Sequence, residues 1–522
     1  MPAETAGPEP ELTEAAAAAP VPPPPHELML ELGLHHDDAA RLSRLPEIGR
    51  SRQPARAAAF SLIWHDTPDS ALMRAGLALA EQRIGRASAW QLTKMRPDPD
   101  DIWPPGTLAP LLAEAPDRAA LEGVTAGPLV PVAGVEGRRR ALTMTTPDGA
   151  VELVVMQGVL RAVAGEQPSC RVVLTGPATA VMAASRVLAA ALRVFVPATA
   201  LSADAYAVAR LPPPPRHLGA PALPAGVAVG EAFAHLAAHL TDVILHYAPR
   251  ALAGEAPEPV HQMRVALRRL KSAIGLFRKA VQCPELDRAS AELKALAAVL
   301  GPARDWDVFT AGTAAAVHRA FEGDPAITRL VAAAHRQRAA SYEALRLYLE
   351  SVAFRQLGLT LAALAATRPW AKAEITADAP AGSPPAHDAA PDQPMTQYAA
   401  HALTRRLRAV LAPGKDISHL PAEALHDIRL ACKRLRYAAE FFAPLFPGRN
   451  TRRFIQRLSA LQEQLGLMND TDVASGLLGQ LGAARGYAAG AVRGFIAAGH
   501  TGSRAEIMRA WKKLRRQNAF WR

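Results

Sequence analysis

Val260 to Phe277 reads VHQMRVALRRLKSAIGLF, and Leu425 to Phe442 reads LHDIRLACKRLRYAAEFF. His261/His426, Arg264/Arg429, Arg269/Arg434 and Phe277/Phe442 are each 165 residues apart, and the register continues through Gly301/Gly466, Asp305/Asp470 and Asp307/Asp472. Between 260–309 and 425–474, 16 of 50 positions are identical without a gap. One helical module present twice is the simplest source of such a period.

Turning about 100° per residue from His261 places Arg264, Arg268 and Lys271 beside it in one stripe, at about 280–340°. Met263, Leu267, Leu270, Ile274 and Phe277 fall on a separate face that must be buried. In the second copy His426, Arg429, Lys433 and Arg436 form the stripe, and Ile428, Cys432, Leu435, Ala439 and Phe442 the apolar face. Arg269 and Arg434 flank each stripe on its other side.

Cations spaced i, i+3, i+4 repel one another, and acidic partners at i+4 are almost absent from these rows. A bound polyanion relieves that repulsion. Phosphate fits, because guanidinium forks grip its oxygens bidentately and lysine adds a compact charge. The plainer alternative, a solvated basic face, accounts less well for a stripe that recurs with its histidine at a fixed offset. Each histidine, set among arginines, favours its neutral form, and donation to phosphate or to a neighbouring helix both fit. Phosphohistidine chemistry is disfavoured, since no G-x-x-x-x-G-K-[ST] loop occurs. Asp305/Asp307 and Asp470/Asp472 fit metal ligation less well than capping a helix or holding the arginines. Arg509, Lys512, Lys513, Arg515 and Arg516 read as a solvated rim.

The chain has 522 residues, half of them hydrophobic and 5% aromatic, which suits packed helices and excludes wholesale disorder. Net charge is +11, but from Gly226 onward 39 basic residues face 25 acidic ones, so the preceding part is slightly acidic. Cys170, Cys283 and Cys432 form no CxxC pair, which disfavours a disulfide framework or zinc site. The opening Pro/Ala-rich segment lacks a basic stretch before an apolar run, so no secretory signal is expected. Ala178 to Pro197 is interrupted by Arg186 and Arg193, so no membrane span is expected. The expected location is cytoplasmic.

Along the chain, 1–25 reads as a disordered tail and 26–211 as an α+β region. Its strand-like runs are Glu27–Leu34, Ala57–Trp64, Ala141–Thr145, Val151–Gln157 and Arg171–Leu174, with a helix over 177–194 and a Pro-rich insertion over 97–135. A Pro-rich linker over 212–227 precedes helices from 228 to 522. That helical part divides into repeat 1 (228–370), a second linker (371–395) and repeat 2 (396–522).

The two basic segments, with LGPARDWDVF and LGLMNDTDVA after them and AWKKLRRQNAFW at the end, resemble the CHAD family of conserved-histidine α-helical domains. The resemblance spans about 228–522. It implies an all-α domain of two pseudo-symmetric helical bundles, with a basic central channel that binds inorganic polyphosphate. Carried over by position, the polyphosphate-binding residues are His261, Arg264, Arg268, Arg269 and Lys271, with His426, Arg429, Lys433, Arg434 and Arg436. Arg288 and Arg453 are secondary candidates. Association with polyphosphate granules follows from the same resemblance.

The N-terminal part is similar to CYTH domains, through WHDTPDSALMRAGLAL (64–79) and GAVELVVMQGVLRAVAG (149–165). That similarity implies an antiparallel, tunnel-like barrel holding triphosphate and a divalent metal. The family's opening E-x-E-x-K strand is here Glu27, Met29, Glu31, and its later E-x-E-x-E strand aligns with Arg171, Val173 and Thr175. Ala80, Glu81 and Gln82 stand where alternating basic residues follow GLAL, and the terminal Ser-Lys aligns with Ser202 and Ala203. Glu152, Arg138 and Arg140 survive as remnants. Metal binding needs convergent oxygen ligands and phosphoryl transfer needs cations on the spreading charge. A degenerate, non-catalytic domain is therefore expected, with no catalytic residues, metal or cofactor. The alternatives are a metal-dependent inorganic triphosphatase, and nucleic-acid binding. The latter is disfavoured because no aromatic platform interleaves the stripe.

Overall fold

The computed structural model describes residues 27–48, 57–95, 103–108, 111–114, 121, 124, 127–211, 218–219, 221, 223, 226–370, 391–482, 486–499 and 504–522. The expected tail, most of both linkers and much of the 97–135 insertion lie outside these residues. Among these residues nine antiparallel strands form one sheet: β1 (Glu27–Leu34), β2 (Ala58–Asp66), β3 (Leu77–Ile84), β4 (Ala87–Lys94), β5 (Leu111–Glu114), β6 (Val130–Thr146), β7 (Gly149–Ala162), β8 (Gly165–Pro177) and β9 (Val194–Phe195). Their order is β5-β4-β3-β2-β6-β7-β8-β1-β9.

Among the described residues the sheet is open, with β5 and β9 at its edges, and does not close into the expected barrel. The reason lies in what covers its faces. Leu28, Leu30 and Leu32 of β1, Val151 and Leu153 of β7, and Val172 and Leu174 of β8 pack against helix α1 (Ala178–Ala191). Phe60, Leu62 and Trp64 of β2, with Val135 and Leu160, form a second core that includes Ala205 and Tyr206 of α2 (Leu201–Val208). Gly137 and Gly158 face each other across β6 and β7, where a Cβ on Gly137 would lie 2.0 Å from the Gln157 carbonyl oxygen. Only glycine permits that approach.

The rest is helical. The elements are α3 (Val229–Ala253), α4 (Glu258–Phe277), α5 (Pro284–Val308), α6 (Ala315–Ala320), α7 (Pro325–Glu350), α8 (Val352–Thr367), α9 (Met395–Leu411), α10 (Ala422–Phe442), α11 (Arg449–Gln480), α12 (Tyr487–Gly499) and α13 (Arg504–Arg515). A π-helical turn, Phe309–Ala314, joins α5 to α6. No single described helix is long and apolar enough to cross a membrane.

The apolar faces read from the repeat meet in one core: Met263, Leu267, Leu270, Ile274 and Phe277 of α4, with Ile428, Cys432, Leu435, Ala439 and Phe442 of α10. Segment 391–395 pairs with the start of α3, through Gly230 N–H to the Pro391 carbonyl (2.8 Å) and Met395 N–H to the Val227 carbonyl (3.2 Å). The sheet core also includes Leu245 of α3 and Leu359 and Ala362 of α8, so the two regions share buried contacts. Arg355 Nε donates to the Ala189 carbonyl (3.1 Å) and Arg186 to Thr360 Oγ1 (3.2 Å) across this junction.

Candidate functional site

Helices α4 and α10 pack together, and the packing that buries their apolar faces brings the two cationic stripes onto one surface. Lys433 shows this directly. Its ammonium is half-buried, and its pKa is pushed down to about 8 by that burial, then by Arg429, Arg268, Arg264 and Arg436. Two of those arginines belong to α4 and two to α10. Arg268 is likewise held below its ordinary pKa, by burial and then, against the favourable influence of Tyr437, by Arg264, Arg436 and Arg269. His261 is half-buried and its pKa is lowered by burial, then by Arg304, with Arg268 and Arg264 adding to it and Glu258 opposing.

Carboxylates restrain part of the cluster. Arg264 Nη1 donates to Asp305 Oδ1 (2.8 Å) and to the Gly301 carbonyl (2.7 Å). Asp305 thus positions an arginine, one of the roles its sequence allowed. Asp307 is buried and accepts from Arg338 Nε (2.7 Å) and the Tyr342 hydroxyl (2.8 Å). The side chains of Asp470 and Asp472 lie outside the described residues. Arg436 pairs with Glu440 and donates to Gln462 Oε1 (2.8 Å), and Arg269 Nη2 lies 3.9 Å from Glu440 Oε2. Among the described residues, no carboxylate lies within ion-pair distance of Lys433, Arg268 or Arg429. The Nε of Arg429 is buried and has no hydrogen-bond partner among the described residues.

The repeat recurs in these contacts. A Cβ on Gly301 would lie 3.9 Å from Arg264 Nη1, and one on Gly466 would lie 3.8 Å from Arg429 Nε. Each arginine therefore lies over the glycine of the following helix, and both pairs are separated by 37 residues.

Beyond this cluster, Lys271 and Arg434 line an open groove of about 640 Å³ together with Gly275, Arg405 and Arg406. Arg405 and Arg406 belong to α9 and were not singled out in the sequence, because they fall outside the repeat window. Arg406 Nη1 donates to the Arg434 carbonyl (3.2 Å), and burial, followed by Arg405 and Arg434, pushes its pKa down to about 10. His426 is exposed on α10. Arg288 is not drawn into the cluster. It lines a separate cavity with Arg186, between α1 and α8, and lowers the pKa of Arg186 after burial has done so. Arg453 is exposed in the first turns of α11. Arg304, half-buried near His261, is a further cation that sequence reasoning missed, since its repeat counterpart is Asn469.

Residues 234–479 match the family model of the CHAD domain. The chain belongs to the CHAD family. It is similar to the CHAD domain from the plant Ricinus communis, at 30% identity over 57% of this chain and 96% of that one, with a TM-score of 0.46. It is also similar to PptA from Streptomyces chartreusis, at 19% identity over 56% of this chain and 99% of that one, with a TM-score of 0.37. No curated protein matches the chain.

The sheet lies outside the CHAD match. On β1 and β8 the positions compared with CYTH strands stand side by side, Met29 opposite Thr175 and Glu31 opposite Val173. Glu31 stands where a lysine was expected and Arg171 where an acid was expected, and the two form a buried pair, Nε to Oε1 3.7 Å. Arg171 also pairs with Asp204 of α2. Burial raises the Glu31 pKa, and Arg171 only partly offsets it. Glu152 lies opposite Thr175, which places it on the face that carries Glu31 and Arg171. Arg138 and Arg140 pair with Gln157 and Val155, so they point to the opposite face. The three remnants therefore do not converge. Asp66, central to the 64–79 motif, is fully buried and accepts from the backbone of Thr67, Leu72 and Met73 and from the Tyr206 hydroxyl (3.1 Å).

Proposed function

We propose that this chain binds inorganic polyphosphate on the basic surface shared by α4 and α10. The observation that carries the reading is Lys433, half-buried among four arginines from both helices, with no carboxylate within ion-pair distance among the described residues. Holding these cations together costs electrostatic energy that water only partly screens. A flexible chain of linked phosphates offers many oxygens at short spacing and relieves the repulsion along the whole surface. In this reading the two repeats form pseudo-symmetric bundles about the α4–α10 contact, and His261, mostly neutral at pH 7, serves as a hydrogen-bond donor rather than a charge.

The same proposal treats the sheet region as a tunnel-like domain that has lost its chemistry. Its buried face holds a charge-swapped ion pair, Glu31 with Arg171, in place of converging acids. It then serves as a structural platform docked on α3 and α8, and the protein acts in the cytoplasm, alone or on polyphosphate granules.

The experiment is a titration of the purified chain with long-chain polyphosphate at physiological salt. It is run beside a phosphate-release assay on tripolyphosphate with Mg²⁺ or Mn²⁺ and a competition with RNA. Tight polyphosphate binding, no release and weak RNA competition support the reading. Release abolished by Glu152→Gln would install the triphosphatase alternative, and an RNA preference would replace polyphosphate as the ligand.

A further inference from the structure

The two ends of the basic surface are not alike. In the repeat register, Lys271 corresponds to Arg436, Arg434 to Arg269, and Gly275 to Glu440. The structure assembles both equivalent sets. At one end Arg436, Glu440 and Arg269 come together, and the single carboxylate lies within ion-pair distance of both arginines and offsets one of their two charges. At the other end Lys271, Gly275 and Arg434 come together, and the carboxylate is missing. A Cβ on Gly275 would have nothing within 4 Å, so the space that Glu440 occupies at one end is open at the other.

A second difference deepens the contrast. Arg405 and Arg406 reach the open end from α9, whereas the positions 165 residues earlier on α3 are Leu240 and Thr241, both buried. The Gly275 end therefore holds four cations around a groove of about 640 Å³, with no acidic residue among those lining it. The Nε of Arg406 is buried there and has no hydrogen-bond partner among the described residues. The Glu440 end holds two cations and one anion.

We propose that the groove at Gly275 is a distinct oligophosphate pocket, where short phosphate chains, or the end of a long one, dock in preference to the Glu440 end. The proposal rests on the polyphosphate reading above and adds a polarity to it. Four cations around an open groove of about 640 Å³ match the several negative charges of a tripolyphosphate. The pocket lies next along the stripe from Lys271, so a long chain anchored there continues over Arg268 and Lys433.

Tripolyphosphate is the probe, with long-chain polyphosphate as the control ligand. Gly275→Glu reinstates the counterpart carboxylate at an exposed helical position where glutamate is a better helix former than glycine, so the variant folds. The expected result is one tripolyphosphate per wild-type chain, weakened at least tenfold by Gly275→Glu and less than twofold by the neutral Gly275→Gln. Glu440→Gln is expected to open a second tripolyphosphate site. Equal losses from Gly275→Glu and Gly275→Gln would overturn the proposal, as would no loss from Gly275→Glu, or an unchanged stoichiometry in Glu440→Gln. In those cases long-chain binding would survive and the polyphosphate reading would stand. Absence of long-chain binding by the wild type would instead remove that reading itself.

Discussion

Phe277 and Phe442, 165 residues apart and equivalent in the repeat, meet edge to face with ring centroids 6.1 Å apart. Phe277 also packs on Phe233 (5.7 Å) and stacks on Tyr398 (5.5 Å), so rings from α3, α4, α9 and α10 share one aromatic knot. Both phenylalanines are fully buried. The contact fixes how the two basic helices sit against each other, and hence where their stripes meet.

Phe442→Ala is expected to cost about 3–5 kcal/mol, the range for deleting a buried aromatic side chain. Chemical denaturation followed by circular dichroism checks it. Polyphosphate affinity is expected to fall as well, because the stripes lose their mutual register.

Lys433 gives a pH signature whose sign can be worked out. In the free protein it titrates near 8, against an ordinary value of 10.5. Bound phosphate offsets the surrounding arginines and draws that pKa back up. The complex then keeps a proton that the free protein sheds, so affinity falls as pH rises from about 8 towards 10.5. Ligand-free stability moves the other way in this window, because the unfolded chain binds more protons than the folded one. Titration at several pH values checks this, and Lys433→Met is expected to remove the slope.

Asp305, which holds Arg264 by an ion pair, is expected to compete with polyphosphate for that arginine. Asp305→Asn removes its charge, while the bond from Arg264 to the Gly301 carbonyl (2.7 Å) still holds the guanidinium in place. A partly exposed pair is worth about 0.3–1 kcal/mol. Polyphosphate affinity is therefore expected to rise by about two- to fivefold, measured by titration at fixed salt.

Arg171 is expected to matter for folding and not for binding. Arg171→Met leaves Glu31 buried and Asp204 without its cation. Breaking a buried ion network from one side costs about 3–5 kcal/mol. Thermal unfolding checks the loss, and polyphosphate affinity at 20 °C is expected to stay within twofold of wild type.

The repeat made much of this site legible. Helical spacing placed Arg264, Arg268, Arg429, Lys433 and Arg436 on matching stripes, and the apolar faces beside them form the shared core. Strand β1 was legible over its full length, Glu27–Leu34, as a leucine alternation. Strands β3 and β4 were not, because their alanine-rich runs carry little alternation and meet at a tight turn through Gly85, φ +61°. What periodicity cannot show is which distant groups meet. Arg405 and Arg406 lie on α9, outside the repeated window, and Arg288 faces the sheet region because α5 runs past α1. The open sheet was hidden for the same reason, since packing of α1 and α2 on its faces is a tertiary fact.

The most direct measurement is the affinity for long-chain polyphosphate, with its salt dependence, of the wild type and the Arg268→Met/Lys433→Met variant. Tight wild-type binding and at least a hundredfold loss in the variant are expected. The slope of log affinity against log salt is expected to become shallower by about 0.7–0.9 per cation removed. Wild-type affinity and an unchanged slope in the variant would contradict polyphosphate binding at the α4–α10 surface.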